Sequence, residues 1–201
     1  MKKETKGKLE VVCGSMFSGK SEELLYRLRR AEYAKKQVLT IKPAMDNRKS
    51  VSCIVCHSGR QREAMPVGSC QDSLKKIMQL ADSTIDVVGI DEIQFFPAET
   101  IPVVCELLDQ GKRVIVAGLD LDFRGQPFGI MPALLALADE VSKLRAICMC
   151  CGNEANFSQR LINGSPAGYD EPTILVGGEE CYEARCRQCF EIDKKAFAVC
   201  S

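Results

Sequence analysis

Between an apolar run, Leu9 to Cys13, and a stretch of helical periodicity, Glu22 to Lys36, lies the segment Gly14-Ser15-Met16-Phe17-Ser18-Gly19-Lys20-Ser21. Its spacing, G-x-x-x-x-G-K-S, constrains the fold more than any other feature of the chain. Two glycines can take backbone angles closed to other residues, so consecutive N–H groups turn inward and cradle a polyphosphate. The phosphate then rests on the N-terminus of the following helix, where unpaired N–H groups and the helix dipole favour negative charge. Lys20 is placed to reach the β- and γ-phosphates, and the Ser21 hydroxyl to take a place on Mg²⁺. Strand, loop and helix in that order open a βαβ unit.

The same grammar continues. Gln37 to Pro43 reads as the second strand, and Leu24, Leu25, Leu28 and Ala31 recur at helical spacing on the helix between. Ser73 to Ala81 predicts a short amphipathic helix before the strand Ile85 to Asp91, and Ile101 to Leu108 another before Arg113 to Gly118. The β-branched runs Val87-Val88 and Val114-Ile115-Val116 suit strands buried on both faces, as parallel strands are. A helix at Met131 to Ala138 and a strand at Lys143 to Ile147 complete the expectation: an α/β fold with a mostly parallel sheet flanked by helices. Residues 1–147 form this domain. Residues 148–201 lack the alternation and carry short runs, turn residues and cysteine pairs, which predicts a small metal-binding C-terminal domain.

The 27 basic and 27 acidic residues cancel, so nothing points to a general nucleic-acid or acidic-membrane surface and any anion must be held locally. No apolar run approaches the ~20 residues that span a bilayer, and Met1 to Lys8 is charged rather than signal-like. A cytoplasmic protein is expected. In that reducing compartment the twelve cysteines favour metal ligation over disulfides. Cys13, Cys70, Cys105 and Cys200 stand alone and read as small buried hydrophobes.

Ile85 to Ile90 is an apolar strand that ends in Asp91-Glu92. In a parallel sheet the carboxyl ends of strands face the ligand crevice, which brings both carboxylates beside the phosphate loop. Asp91 suits Mg²⁺ and Glu92 suits proton abstraction from a nucleophile. Whether that nucleophile is water or a bound hydroxyl separates an ATPase from a kinase. Aromatics gathered at strand ends, in Gln94-Phe95-Phe96 and in Gly118 to Gly129, point to a pocket for a flat apolar ring.

These pieces together resemble the thymidine kinases of the small, zinc-containing class. The resemblance rests on GSMFSGKS from Gly14 to Ser21, KPAMDNR from Lys42 to Arg48, IDEIQFF from Ile90 to Phe96, GLDLDFRGQPFG from Gly118 to Gly129, and the tail from Thr173 to Cys189. It implies transfer of the ATP γ-phosphate to the 5′-hydroxyl of thymidine or deoxyuridine. By the same resemblance Glu92 is the general base, and Asp91 and Gln94 join the phosphate loop around ATP. Asp46 shares Mg²⁺ with Ser21 and Asp91, and Arg48, with Lys20, compensates transition-state charge. Met16, Phe95, Leu119, Phe123 and Phe128 line the base pocket; Tyr182 with the backbone of Val176 and Gly177 closes over it from a lasso loop, which Arg160 helps to hold. Feedback inhibition by thymidine triphosphate and a homotetramer are implied as well.

Cys148-x-x-Cys151 and Cys186-x-x-Cys189 are two thiolate pairs of the kind that give Zn²⁺ four tetrahedral ligands. Cys150 and Cys181 are spare by spacing. Cys53-x-x-Cys56-His57 spells a c-type haem attachment motif, but no export signal or axial partner accompanies it, and Cys53 and Cys56 are expected to have no role. The rival to a kinase is a nucleic-acid-binding P-loop ATPase whose Cys₄ module grips a strand. Zero net charge and a tail without a basic cluster stand against it.

Overall fold

The computed structural model describes residues 6–45, 52–55, 59, 61–68, 70–173 and 181–192. The first strand, β1 (Lys8–Gly14), runs into the phosphate loop and then α1 (Lys20–Tyr33). There follow β2 (Val38–Pro43), a hairpin of β3 (Cys53–Val55) and β4 (Gln61–Glu63), then β5 (Met65–Val67) and α2 (Gln71–Leu80). Next come β6 (Val87–Ile90), α3 (Thr100–Asp109), β7 (Arg113–Gly118), α4 (Met131–Leu137) and β8 (Glu140–Leu144). Six of these strands form one all-parallel sheet in the order β5-β2-β6-β7-β1-β8. From β1 the chain crosses to β2 on one side, while β8 returns to the other. The strand order therefore switches direction at β1, where an open α/β sheet leaves a crevice at its carboxyl edge.

Alternation within the strands divides the core in two. Leu9, Val11, Cys13, Val114 and Val116 face α2, α3 and α4, whose Ile77, Leu107 and Leu134 are fully or nearly fully buried against them. Val12, Ile115 and Ala117 face α1, meeting its Leu24, Leu25, Leu28 and Ala31. Each such leucine contributes roughly 1.5–3 kcal/mol by leaving water. The sheet thus holds the phosphate-loop helix rigidly, and a buried ion cluster adds direction. Glu10 on β1 is 3% exposed and receives Arg113 of β7 at 2.8 Å and Arg27 of α1 at 2.9 Å. Arg27 also reaches Glu23, Glu140 and Ser142, which ties α1 to both β1 and β8. Burial opposes the Glu10 anion, but hydrogen bonding and charge from Arg113, with Lys8 and Arg27, hold its carboxyl below the usual range. A depressed carboxyl stabilises the fold above its unfolded pKa, and that contribution is lost as pH falls through the folded pKa.

The expected last strand, Lys143 to Ile147, lies elsewhere: β8 is Glu140–Leu144. On a sheet edge one face meets solvent, and its polar alternation, Glu140, Ser142 and Lys143 beside exposed Val141, does not read as a buried parallel strand. β5 is a further edge strand containing Pro66, a residue tolerated at edges because it lacks a ladder donor.

After Leu144 the pairing partners change. β9 (Ala146–Ile147) pairs antiparallel with β10 (Glu154–Ala155), and β11 (Phe157–Ile162) lies between β12 (Ser165–Pro166) and β13 (Cys181–Arg185). The β11–β12 hairpin turns on Asn163-Gly164, both at positive φ (51° and 79°), the pair that a two-residue hairpin loop favours. Among the described residues no helix is long and apolar enough to cross a membrane.

Candidate active site

The phosphate loop is built as its spacing requires. Gly14 sits at φ 142°, and a Cβ there would meet the Leu144 carbonyl at 2.3 Å, so only glycine fits where β1 leaves the sheet. Gly19 caps α1 in the left-handed region, and Glu22 and Glu23 occupy the first turn, where the helix dipole favours acids. The Ser18 hydroxyl donates to the Ser15 carbonyl at 2.8 Å, and the Lys20 ammonium bends over the loop to the same oxygen at 2.7 Å. Two long-range bonds hold the loop from the far side. The Met16 N–H donates to the Ser158 hydroxyl at 2.9 Å, and the Ser15 hydroxyl to the Ala155 carbonyl at 3.3 Å. Nothing in the sequence marks Ser158 or Ala155, because a serine and an alanine some 140 positions away carry no motif.

The acidic strand end meets this loop. Asp91 is 6% exposed, and the Ser21 hydroxyl and the Glu92 N–H both donate to its carboxylate, the latter at 3.0 Å. Burial and the Glu92 charge push its pKa up to about 7, with Ser21, Glu92 N–H and Lys20 pulling the other way. Lys20 in turn is lowered by loss of hydration and raised by Glu92, Asp91 and Asp120. A buried carboxyl whose anion is disfavoured, paired with a hydroxyl and a second carboxylate, is an all-oxygen donor set that suits a hard divalent cation such as Mg²⁺. Glu92 takes a left-handed backbone, φ 50° and ψ 41°, a conformation that costs a non-glycine residue about 1–3 kcal/mol and is kept where the side chain must be aimed. Its carboxylate receives the Gln94 amide at 2.5 Å.

Beside them lies a group of aromatic side chains. Asp122 accepts the N–H groups of Arg124 (2.9 Å) and Gln126 (3.0 Å), folding Leu121 to Pro127 into a tight turn. That turn brings Phe128 edge-on to Phe95 at 5.6 Å between ring centroids. Met16, Phe95, Leu119, Phe128 and Tyr182 are all half-buried, whereas Phe123 is 4% exposed. Phe123 lies between two guanidiniums, Arg160 at 4.7 Å and Arg124 at 5.0 Å. Arg160, fully buried, also stacks on Tyr182 at 5.7 Å and donates to the Pro172 carbonyl at 2.6 Å; Arg124 donates to that of Glu171 at 2.7 Å. Both arginines thus grip the chain as it enters the expected lasso. Asp46, Arg48, Val176 and Gly177, and with them Cys56 and His57, lie outside the described residues. A separate cavity of about 1190 Å³, lined by Glu10, Arg27, Asp86 and Arg113 among others, opens at the amino ends of the strands, away from this site.

Four thiols form the second centre. The Sγ atoms of Cys148, Cys151, Cys186 and Cys189 lie within 4.8 Å of one another, with Cys151 and Cys186 3.6 Å apart. Tetrahedral zinc, with Zn–S near 2.3 Å, sets its sulfurs roughly 3.8 Å apart, so the donor set and its spacing fit a metal such as zinc. Each pair closes a turn: Gly152 N–H donates to the Cys148 carbonyl, and Cys189 and Phe190 N–H to that of Cys186. Cys150 is exposed and outside the cluster, with Arg185 on its sulfur.

Fold and site together describe a P-loop phosphotransferase, with two carboxylates brought to the phosphate loop and aromatic side chains beside them. The family model for thymidine kinase matches residues 7–190. A thymidine kinase of Coprothermobacter proteolyticus is 59% identical over 193 residues, which cover 96% of this chain and 95% of that one. The chain belongs to the thymidine kinase family.

Proposed function

We propose that this chain moves the γ-phosphoryl group of ATP onto the 5′-hydroxyl of thymidine, and of deoxyuridine as a second acceptor. The observation that carries the reading is the meeting of Glu92 and Asp91 with Lys20 and Ser21 at the carboxyl edge of the sheet, beside the half-buried ring pair Phe95 and Phe128. The phosphate loop, Gly14 to Ser21, cradles the ATP phosphates, with Lys20 on the transferred group. Glu92 takes the proton of the 5′-hydroxyl as the O5′–P bond forms and the bond to the ADP oxygen breaks. Arg48, with Lys20, offsets charge on the equatorial oxygens. Ser21 and Asp91, with Asp46 as a third donor, are the residues to hold Mg²⁺; when bound, the ion would neutralise charge between the β- and γ-phosphates.

Thymine is held among Met16, Phe95, Leu119, Phe123 and Phe128, with Tyr182 and the backbone of Val176 and Gly177 closing over it. The support is the Arg160 contact with both Phe123 and Tyr182, which binds cleft and lasso strand together. Zn²⁺ on Cys148, Cys151, Cys186 and Cys189 fixes that strand. Residues 1–147 and 148–201 are taken as the kinase and zinc-lasso domains; the change of pairing after Leu144 supports a division near that point, although Ala146–Ile147 already pairs with the second part. A cytoplasmic homotetramer completes the reading. Exposed Tyr26 and Tyr33 on one helix support an interface, and a monomer by light scattering at micromolar concentration would exclude it.

ADP release should require thymidine and should collapse in Lys20→Ala, along with ATP affinity. Parental ATP affinity and rate in that variant would overturn the phosphate-loop assignment, and ADP release driven by DNA instead of thymidine would overturn the acceptor. Thymidine triphosphate is expected to inhibit as a bisubstrate mimic, its base in the cleft and its phosphates on the loop. Excess thymidine or ATP should relieve it; inhibition that neither relieves would refute this placement.

A further inference from the structure

We propose that Gln94 is a positioning residue that aims Glu92 at the acceptor hydroxyl, and that its side chain does not bind nucleotide. The proposal rests on the reading of Glu92 as general base. Gln94 is 3% exposed, so its amide is closed to a ligand and must be satisfied within the protein. It bridges two elements. Its Oε1 accepts the Leu119 N–H at 3.0 Å, and its Nε2 donates to Glu92 Oε2 at 2.5 Å. A backbone N–H can only donate, so Leu119 fixes which end of the amide is oxygen and thereby turns the NH₂ toward Glu92. That bond ties the Glu92 carboxylate to an amide which is itself held by β7, and so fixes how the carboxylate is turned.

The surroundings are shaped to this amide. A Cβ at Gly118 would stand 2.6 Å from Gln94 Oε1, and one at Gly129 2.3 Å from the Gln94 carbonyl oxygen. Real Cβ atoms do not approach so closely, so both positions must be glycine for the Gln94 amide and backbone to lie where they do. The end of β7, the loop after Phe128 and the acidic strand end therefore converge on one side chain. Leu119 and Phe128 belong to the proposed base cleft, so this amide also links acceptor binding to the aim of the base.

Gln94→Glu keeps the shape and can still accept the Leu119 N–H, but presents both an oxygen and a negative charge to Glu92. Gln94→Met removes both bonds at similar volume. Each variant should lower kcat by about 10–100-fold, the scale on which a misplaced catalytic group loses rate, while in the uncharged Gln94→Met the affinities for ATP and thymidine by calorimetry change less than about threefold. In a Glu92→Gln background the further loss from Gln94→Glu should vanish, because residues acting through one step are not additive. Unchanged kcat in Gln94→Glu, or an ATP affinity in Gln94→Met that falls in step with kcat, would overturn the positioning role. If Glu92→Gln alone keeps turnover, the general-base reading fails and this proposal with it; if that variant is dead while Gln94→Glu is fully active, only the proposal fails.

Discussion

Glu92→Gln is expected to bind ATP and thymidine as the parent does and to turn over about 10²–10⁴-fold more slowly, the usual cost of losing a general base. The substitution is small because the site needs so little change. An amide at 92 keeps the volume, and its oxygen can still receive the Gln94 NH₂ that now sits 2.5 Å from the Glu92 carboxylate. The left-handed backbone, φ 50° and ψ 41°, is independent of which of the two side chains it carries. What disappears is the capacity to take the 5′-hydroxyl proton. It also removes one negative charge beside Asp91, whose pKa is raised in part by Glu92, so ATP affinity should hold or improve slightly. The measurement is a burst-free steady-state rate alongside calorimetric binding of each substrate. Near-normal kcat would take Glu92 out of the mechanism, and loss of ATP binding with retained kcat/KM for thymidine would make it a structural residue.

The parts of this site that were legible in the sequence are those whose chemistry is local. Gly14 to Ser21 and Asp91-Glu92 are contiguous, and their neighbours in sequence are also the strands that carry them, so spacing alone predicted where they would meet. The Cys148–Cys151 and Cys186–Cys189 pairs are likewise two local turns, which the cluster of four thiols brings together. What sequence could not supply was contact between distant, chemically ordinary residues. The Met16 N–H to Ser158 and Ser15 to Ala155 bonds, and the Leu119 N–H on Gln94, join segments that no motif connects.

Edges account for two more strands. β8 and β5 were misplaced or missed because an edge strand has one wet face, and Ser142, Lys143 and Pro66 there look like loop residues until their pairing is known. Asn163-Gly164 did carry a readable hairpin signal, which would have placed β11 and β12 and with them Arg160 on a strand facing Tyr182. Arg160 shows why that matters. In sequence it is one arginine among many, but in the fold it is fully buried between Phe123 and Tyr182, a position that only the β11–β13 register defines.

Serine at Cys148, Cys151, Cys186 or Cys189 should each remove most of one zinc equivalent per chain, whereas serine at Cys150 or Cys181 should leave it in place. Structural zinc contributes apparent binding energies of about 10–16 kcal/mol in small peptides, so a three-thiolate site should not compete with chelator at neutral pH. The consequence travels through the backbone. The Met149 N–H donates to the Ala184 carbonyl at 2.9 Å, joining the first knuckle to β13, the strand that carries Tyr182 opposite Arg160. On the other side β9 and β10 lead to Ala155, whose carbonyl holds Ser15 of the phosphate loop. Loosening the knuckles therefore lowers the fraction of molecules with a formed lasso strand, and affinity falls in proportion to that fraction. Thymidine affinity should drop about tenfold or more in the four ligand variants, with a smaller loss for ATP because the phosphate loop keeps its own strand and helix. Zinc analysis paired with calorimetry separates the outcomes: one equivalent retained in Cys148→Ser but lost in Cys150→Ser would reassign the ligands, and full thymidine affinity in a zinc-free variant would disconnect the metal from the lasso.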